Sequence, residues 1–172
     1  MRDGPEDTTL RINPLIVLLF SLVAGTAQAN DKENVNPSCK LEPEANCGWA
    51  ELRKLKAHGI DLHDGQFMAT RLDEADLTGA NMSGSHLQLT NFFKATLKNV
   101  DFSYSHMHAV NLIGANLEGA NLEGVNLLDA NLEGANLKGA KIAKVIWTAA
   151  NLSGATWIDG RVCAKGSKGE CR

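Results

Sequence analysis

Three histidines, His86, His106 and His108, come nearest to a chemical site in this chain. Neutral imidazoles are common ligands of divalent transition metals, and three held within about 5–8 Å could bind one. The plainer reading is that all three occupy variable polar positions. No catalytic set stands beside them. The serines are scattered without a Gly-x-Ser-x-Gly turn, and no phosphate-cradling glycine loop occurs. The expectation is therefore a chain that is not an enzyme and carries no cofactor, with His86, His106 and His108 as a secondary metal candidate. Whether the three imidazoles meet depends on the path of the backbone, and a repeated phrase sets that path.

The phrase is NLIGANLEGANLEGVNLLDANLEGANLKGA, from Asn111 to Ala140. Stepping by five from Leu62 gives Phe67, Leu72, Leu77, Met82 and so on to Val162, twenty-one apolar centres without a slip. Two residues before each centre the side chain is mostly small or β-branched, as at Ala75, Ala80, Ser85, Thr90 and Val100. An α-helix would spiral these centres around every side. A long strand would alternate them between faces, because five is odd. Both conflicts vanish if the chain bends after every fifth residue, which returns the small and the large apolar residue of each unit to one interior. Glycines two residues after the centre, such as Gly79, Gly114 and Gly119, suit the corner. Short equal sides with bends between them form a coil, and coils stack at about 4.8 Å per layer.

The units ANLEG (115–119, 120–124 and 130–134) and ANLKG (135–139) resemble the pentapeptide-repeat family, whose unit is A-[DN]-L-x-x. The resemblance implies an all-β solenoid, a right-handed quadrilateral β-helix, so that residue i lies beneath i+20 and about five coils follow. His86 then stacks on His106, with His108 on the same side. Asn111, Asn116, Asn121, Asn126, Asn131 and Asn136 become a structural ladder, while Lys98, Glu118 and Lys138 become a surface row of alternating sign. Phe93 and Ile113 stack facing outward, Leu128 faces outward on another side, and these three form a possible interaction surface.

The ends carry separate signals. Residues 14–25 form an apolar run too short for a membrane span, which needs roughly 20 residues. Ala27 and Ala29 have the small-x-small spacing of a signal-peptidase site, so cleavage is expected between Ala29 and Asn30, leaving no stable membrane anchor. The remainder has 15 basic and 17 acidic residues, a net charge of −2, which argues against a nucleic-acid binder. Four cysteines, Cys39, Cys47, Cys163 and Cys171, fit an oxidising compartment: periplasm, lumen or extracellular space. Pairing within each local pair is favoured, because a long solenoid would hold the two pairs apart. No CxxC spacing supports zinc.

The expected organisation is a signal peptide (1–29), an N-terminal segment with a short capping α-helix (30–59), the β-helix (60–162) and a disulfide-tied cap (163–172). The helix is expected over 47–59, with Trp49, Leu52 and Leu55 on its apolar side and Gly59 as its stop. The function expected is an exported scaffold or protein-interaction module with an unknown protein partner, as a monomer or weak dimer. The alternative implied by another branch of the family is a DNA mimic that binds gyrase or a topoisomerase. Residues 60–162 carry 11 acidic and 7 basic residues, a net of −4, which is weak support for mimicry.

Overall fold

The computed structural model describes Asn36 and residues 38–172. The expected signal segment and its cleavage point at Ala29 and Asn30 lie outside the described residues. From Asn46 to Asn136 every fifth residue forms a parallel bridge with the residue 20 positions later, as in Asn91↔Asn111 and Asn116↔Asn136. Four bridges per circuit make a four-sided coil.

One unit shows why the sequence folds this way. In Asn91–Ala95 the N–H of Asn91 donates to Thr70 O (2.9 Å), that of Phe92 to Asn111 O (2.8 Å), and that of Lys94 to Ile113 O (2.9 Å). These three bonds join the layers. The Ala95 N–H closes the corner on Phe92 O at 3.0 Å. One amide remains, that of Phe93, and the Asn91 side-chain oxygen accepts it at 3.0 Å. The Asn or Asp before each centre thus satisfies the one N–H that neither the layers nor the turn can reach. The same bond recurs at Ser83, Ser103, Ile113, Glu118 and Lys138. The amide nitrogens also bond between layers, from Asn121 to Asp101 (3.0 Å) and from Asn151 to Asn131 (3.1 Å).

The interior holds two side chains per unit. Centres from Leu62 to Leu137 are fully buried, as are the small residues two places before them. Phe92 and Phe102 meet edge to face at 5.9 Å. Small hydroxyls fit inside where a carbonyl can accept from them: Thr70 donates to Cys47 O (2.6 Å), Ser85 to Leu62 O (3.0 Å) and Thr90 to Phe67 O (2.7 Å). The Ser105 hydroxyl is buried without a partner among the described residues.

The corner falls on the second residue after each centre, which has positive φ throughout. Glycine suits this corner, as at Gly119 (φ 70°), where a Cβ would also collide with the Asn99 side chain one layer below.

Two expectations about the ends are corrected. Residues 47–59 form no helix; they repeat the bridge-and-turn pattern of the coil, and the ladder starts at Asn46 instead of near residue 60. Leu52 is a centre and Leu55 the inward residue of the next unit, so a spacing of three imitates a helical face. Trp49, assigned to that apolar face, is a corner residue with φ 64° and is 66% exposed. At the other end Val162 leaves the core column. The chain reverses after residue 160, Val162 bridges Thr156 in antiparallel fashion, and its side chain is 67% exposed. Cys39 is joined to Cys47, and Cys163 to Cys171.

Candidate interaction face

The stacking places each residue singled out by sequence. The rings of His86 and His106 stack with centroids 5.0 Å apart and planes inclined by 26°. Gln88 Nε2 lies 3.4 Å from His86 Nδ1. His108 is exposed on the same side, yet among the described residues no three His, Cys, Asp or Glu side chains come together as a metal site. Phe93 and Ile113 are half-buried instead of standing clear of the wall, and Lys94 Nζ covers the Phe93 ring at 5.1 Å from its centroid. Leu128 is exposed. In the charged row, Lys98 and Glu118 pair at 3.0 Å.

A different surface emerges once outward residues are sorted by side. One side is built from 46–49, 66–69, 86–89, 106–109, 126–129 and 146–149. Across these layers Asp129 is the one carboxylate, and there is no Lys or Arg. Trp49 and Leu89 stand on its corner, with exposures of 66% and 56%, and Met68 and Leu128 stand one residue before it, at 44% and 37%. Ile146, 49% exposed, continues the side towards the C-terminal end. His86, His106 and His108 lie between these apolar residues. Sequence reasoning found Leu128 alone, because it paired residues 20 apart, and none of these four lies 20 from another. Folding the sequence at a period of 20 puts Trp49 and Leu89 in one column and Met68 and Leu128 in the column beside it.

The adjoining side has the opposite character. Asp61, Asp64, Asp101 and Glu123 line it, without a Lys or Arg until Lys141. Asp61 Oδ1 bonds His63 Nδ1 at 2.8 Å. That bond holds the Asp61 carboxyl below, and the exposed His63 imidazole above, their ordinary values. Around the corner, burial raises the Asp76 carboxyl, but the hydroxyl and N–H of Thr78, with His58, outweigh it and leave the group lowered. These shifts belong to surface hydrogen bonds and create no reactive acid or base.

A family model described as pentapeptide repeats, in 8 copies, matches residues 70–108 and 105–142. The chain belongs to the pentapeptide-repeat family. Such proteins have a right-handed quadrilateral β-helix and are generally non-enzymatic structural or interaction modules. Among solved structures the chain is similar to HetL, a pentapeptide repeat protein involved in heterocyst differentiation regulation in the cyanobacterium Nostoc sp. strain PCC 7120. The two are 24% identical over 69% of this chain and 70% of that one, with a TM-score of 0.37. It is similar to a pentapeptide repeat protein of the Arabidopsis thaliana thylakoid lumen at 23% identity over 69% and 72%, TM-score 0.29. It is also similar to full-length QnrB1, a plasmid-mediated fluoroquinolone resistance protein, at 17% identity over 73% and 79%, TM-score 0.30. No curated protein matches the chain.

Proposed function

We propose that this pentapeptide-repeat protein is an exported, non-enzymatic scaffold, a rod of about five coils that binds a protein partner along its uncharged side. The observation that carries the reading is the gathering of Trp49, Met68, Leu89 and Leu128 into two neighbouring columns of a side whose one formal charge is Asp129. Isolated exposed apolar residues are ordinary, but a group of them on a side with a single charge marks a contact site. A rigid β-helix suits such a site because its side chains are already positioned, which limits the entropy lost on binding. Export rests on the apolar run before Ala29, the small-x-small cleavage pattern and the two disulfide pairs. The compartment is the periplasm, a lumen or the medium.

A photo-crosslinking residue at Leu89, compared with one at Glu118 on the opposite side, tests the contact in cells. Crosslinks at Leu89 with none at Glu118 are expected. Equal yields from both positions contradict the reading. Fractionation with intact mass tests export: the mature chain should begin at Asn30 and lack four protons.

The acidic side gives the DNA-mimic reading its one specific support. Duplex DNA carries a charge per roughly 1.7 Å of axis. Asp61, Asp64, Asp101 and Glu123 provide about one per layer of roughly 4.8 Å. That density is about a third of what mimicry needs, so the scaffold reading leads. A supercoiling assay with purified gyrase should show neither inhibition nor protection.

A further inference from the structure

The last coil is sealed on two sides and open on the other two. After residue 160 the chain turns back as a hook tied by Cys163–Cys171. The Leu152 N–H donates to Ser167 O (2.9 Å), Gly154 to Cys163 O (3.0 Å) and Trp157 to Arg161 O (2.8 Å). Ala150 O and Ala155 O accept from Gly169 (2.9 Å) and Cys163 (2.8 Å). The hook stops there. The N–H groups of Ile142, Lys144, Trp147 and Ala149, and the carbonyls of Ala140 and Val145, have no backbone partner among the described residues. One layer below, the corresponding N–H groups of Leu122, Gly124, Leu127 and Asp129 are all bonded, at 2.8–3.0 Å. What the open sides lack is one more strand.

The side chains over this edge have a definite character. Ile142, Val145 and Trp147 pack on the core but are only partly covered, and Trp147 lies against Trp157 at 5.3 Å between ring centroids. Basic residues surround them. Residues 138–172 contain Lys138, Lys141, Lys144, Arg161, Lys165, Lys168 and Arg172 against Asp159 and Glu170, so 7 − 2 gives +5 in a mature chain of net −2. Lys144, Arg161 and Arg172 have carboxylate partners, whereas Lys141, Lys165 and Lys168 are exposed and form no ion pair among the described residues.

We propose that this edge receives an extended acidic segment of a partner protein as an added β-strand. The inference rests on the scaffold reading and names the kind of partner. An unpaired edge gives an incoming chain main-chain hydrogen bonds, and pockets beside it select alternate side chains. Here apolar residues of the segment would cover Ile142, Val145 and Trp147, and acidic ones would face Lys141, Lys144 and Lys168. A second copy stacked head to tail fits less well. Its leading end, residues 38–58, carries Lys40, Arg53, Lys54 and Lys56 against Glu42, Glu44 and Glu51, a net of +1, so two positive ends would meet. An anionic lipid surface fits less well too, since headgroup phosphates accept hydrogen bonds and leave the Ala140 and Val145 carbonyls unmet.

Hydrogen exchange by NMR on the disulfide-bonded chain tests this with two synthetic peptides, one alternating Val with Glu and the other Val with Lys. The Glu peptide should slow exchange of the Ile142, Lys144, Trp147 and Ala149 amides about tenfold or more, and the Lys peptide should not. Lys141→Glu combined with Lys168→Glu should reverse that preference without altering the fold. Equal or absent protection by the two peptides overturns the proposal. So do amides already protected in a dimer seen by light scattering, or protection by phosphatidylserine vesicles in place of the Glu peptide. If Leu89 crosslinks survive any of these outcomes, the scaffold reading stands and only the edge assignment falls.

Discussion

Corners in the first half of the rod and in its most regular stretch have the same backbone but different residues. Between 44 and 109 eleven corners are non-glycine, among them Trp49, Lys54, Leu89 and Tyr104, with φ of 54–64°. From 114 to 139 they are glycine except at Asp129. A left-handed residue with a Cβ costs about 1–2 kcal/mol. The first half therefore holds its corners by inter-layer bonding and core packing, against local preference. What it gains is outward side chains, including Trp49 and Leu89 of the apolar group on the side that carries only Asp129. The difference teaches that the repeat consensus describes the least strained version of the coil, and departures from it show where the surface is put to use.

The largest effects should come from the core, where the two regions share one packing. Phe102→Ala, beside Phe92, should lose about 3–5 kcal/mol, and Leu117→Ala about 2–5, by denaturant unfolding. A loss well under 1 kcal/mol at either position would separate the regions in packing as well as in corners. Next is the hook. Cys163→Ser with Cys171→Ser opens a loop of sequence separation 8 and should cost about 2–3 kcal/mol.

The corners test the comparison itself. Gly119→Ala should destabilise by about 1–2 kcal/mol, through its φ and the Asn99 side chain beneath. Ala109→Gly, at φ 55°, should stabilise by up to about 1 kcal/mol. Changes of the same sign at both positions would break the strain argument. Smaller still, Thr90→Val removes the bond to Phe67 O and should cost about 1 kcal/mol, whereas Ser105→Ala removes an unpartnered hydroxyl and should be neutral or stabilising.

The smallest effect is pH dependence from the surface pairs. Asp61 and Asp76 are lowered from 3.8, so their stabilisation is present above that pH and is lost as pH falls through the folded values. His63 is raised from 6.5, so its contribution is complete below that pH and is lost as pH rises through the folded value. Thermal unfolding from pH 3 to 8 should therefore show a shallow optimum between about 4 and 6.5. Asp61→Asn should flatten its alkaline side.

Much of the architecture was legible because five is a period that neither a helix nor a strand tolerates. The centres from Leu62 to Leu137 and the inner small residues followed from that fact. The N-terminal coil was misread because Cys47 and Ala57 are weak centres, while Leu52 and Leu55 stand three apart in helical fashion. The reversal after residue 160 left no signal, since Val162 keeps the period by coincidence. The uncharged side was hidden for another reason. Its residues fall in two neighbouring columns, Trp49 with Leu89 and Met68 with Leu128, and none lies 20 residues from another, so pairing i with i+20 does not bring them together. The Asn before each centre was expected to form a ladder, and its more constant task is to accept the amide two residues on.

The central claim is that each unit bonds to the units 20 residues before and after it, on a four-sided coil. Scalar couplings across hydrogen bonds, measured by NMR on deuterated protein, test it directly. Couplings are predicted from the Phe92 amide nitrogen to the Asn111 carbonyl carbon, and from the Asn111 nitrogen to the Thr90 carbonyl carbon. Couplings that instead join residues four apart, or that link Phe92 to any separation other than this one, would contradict the account.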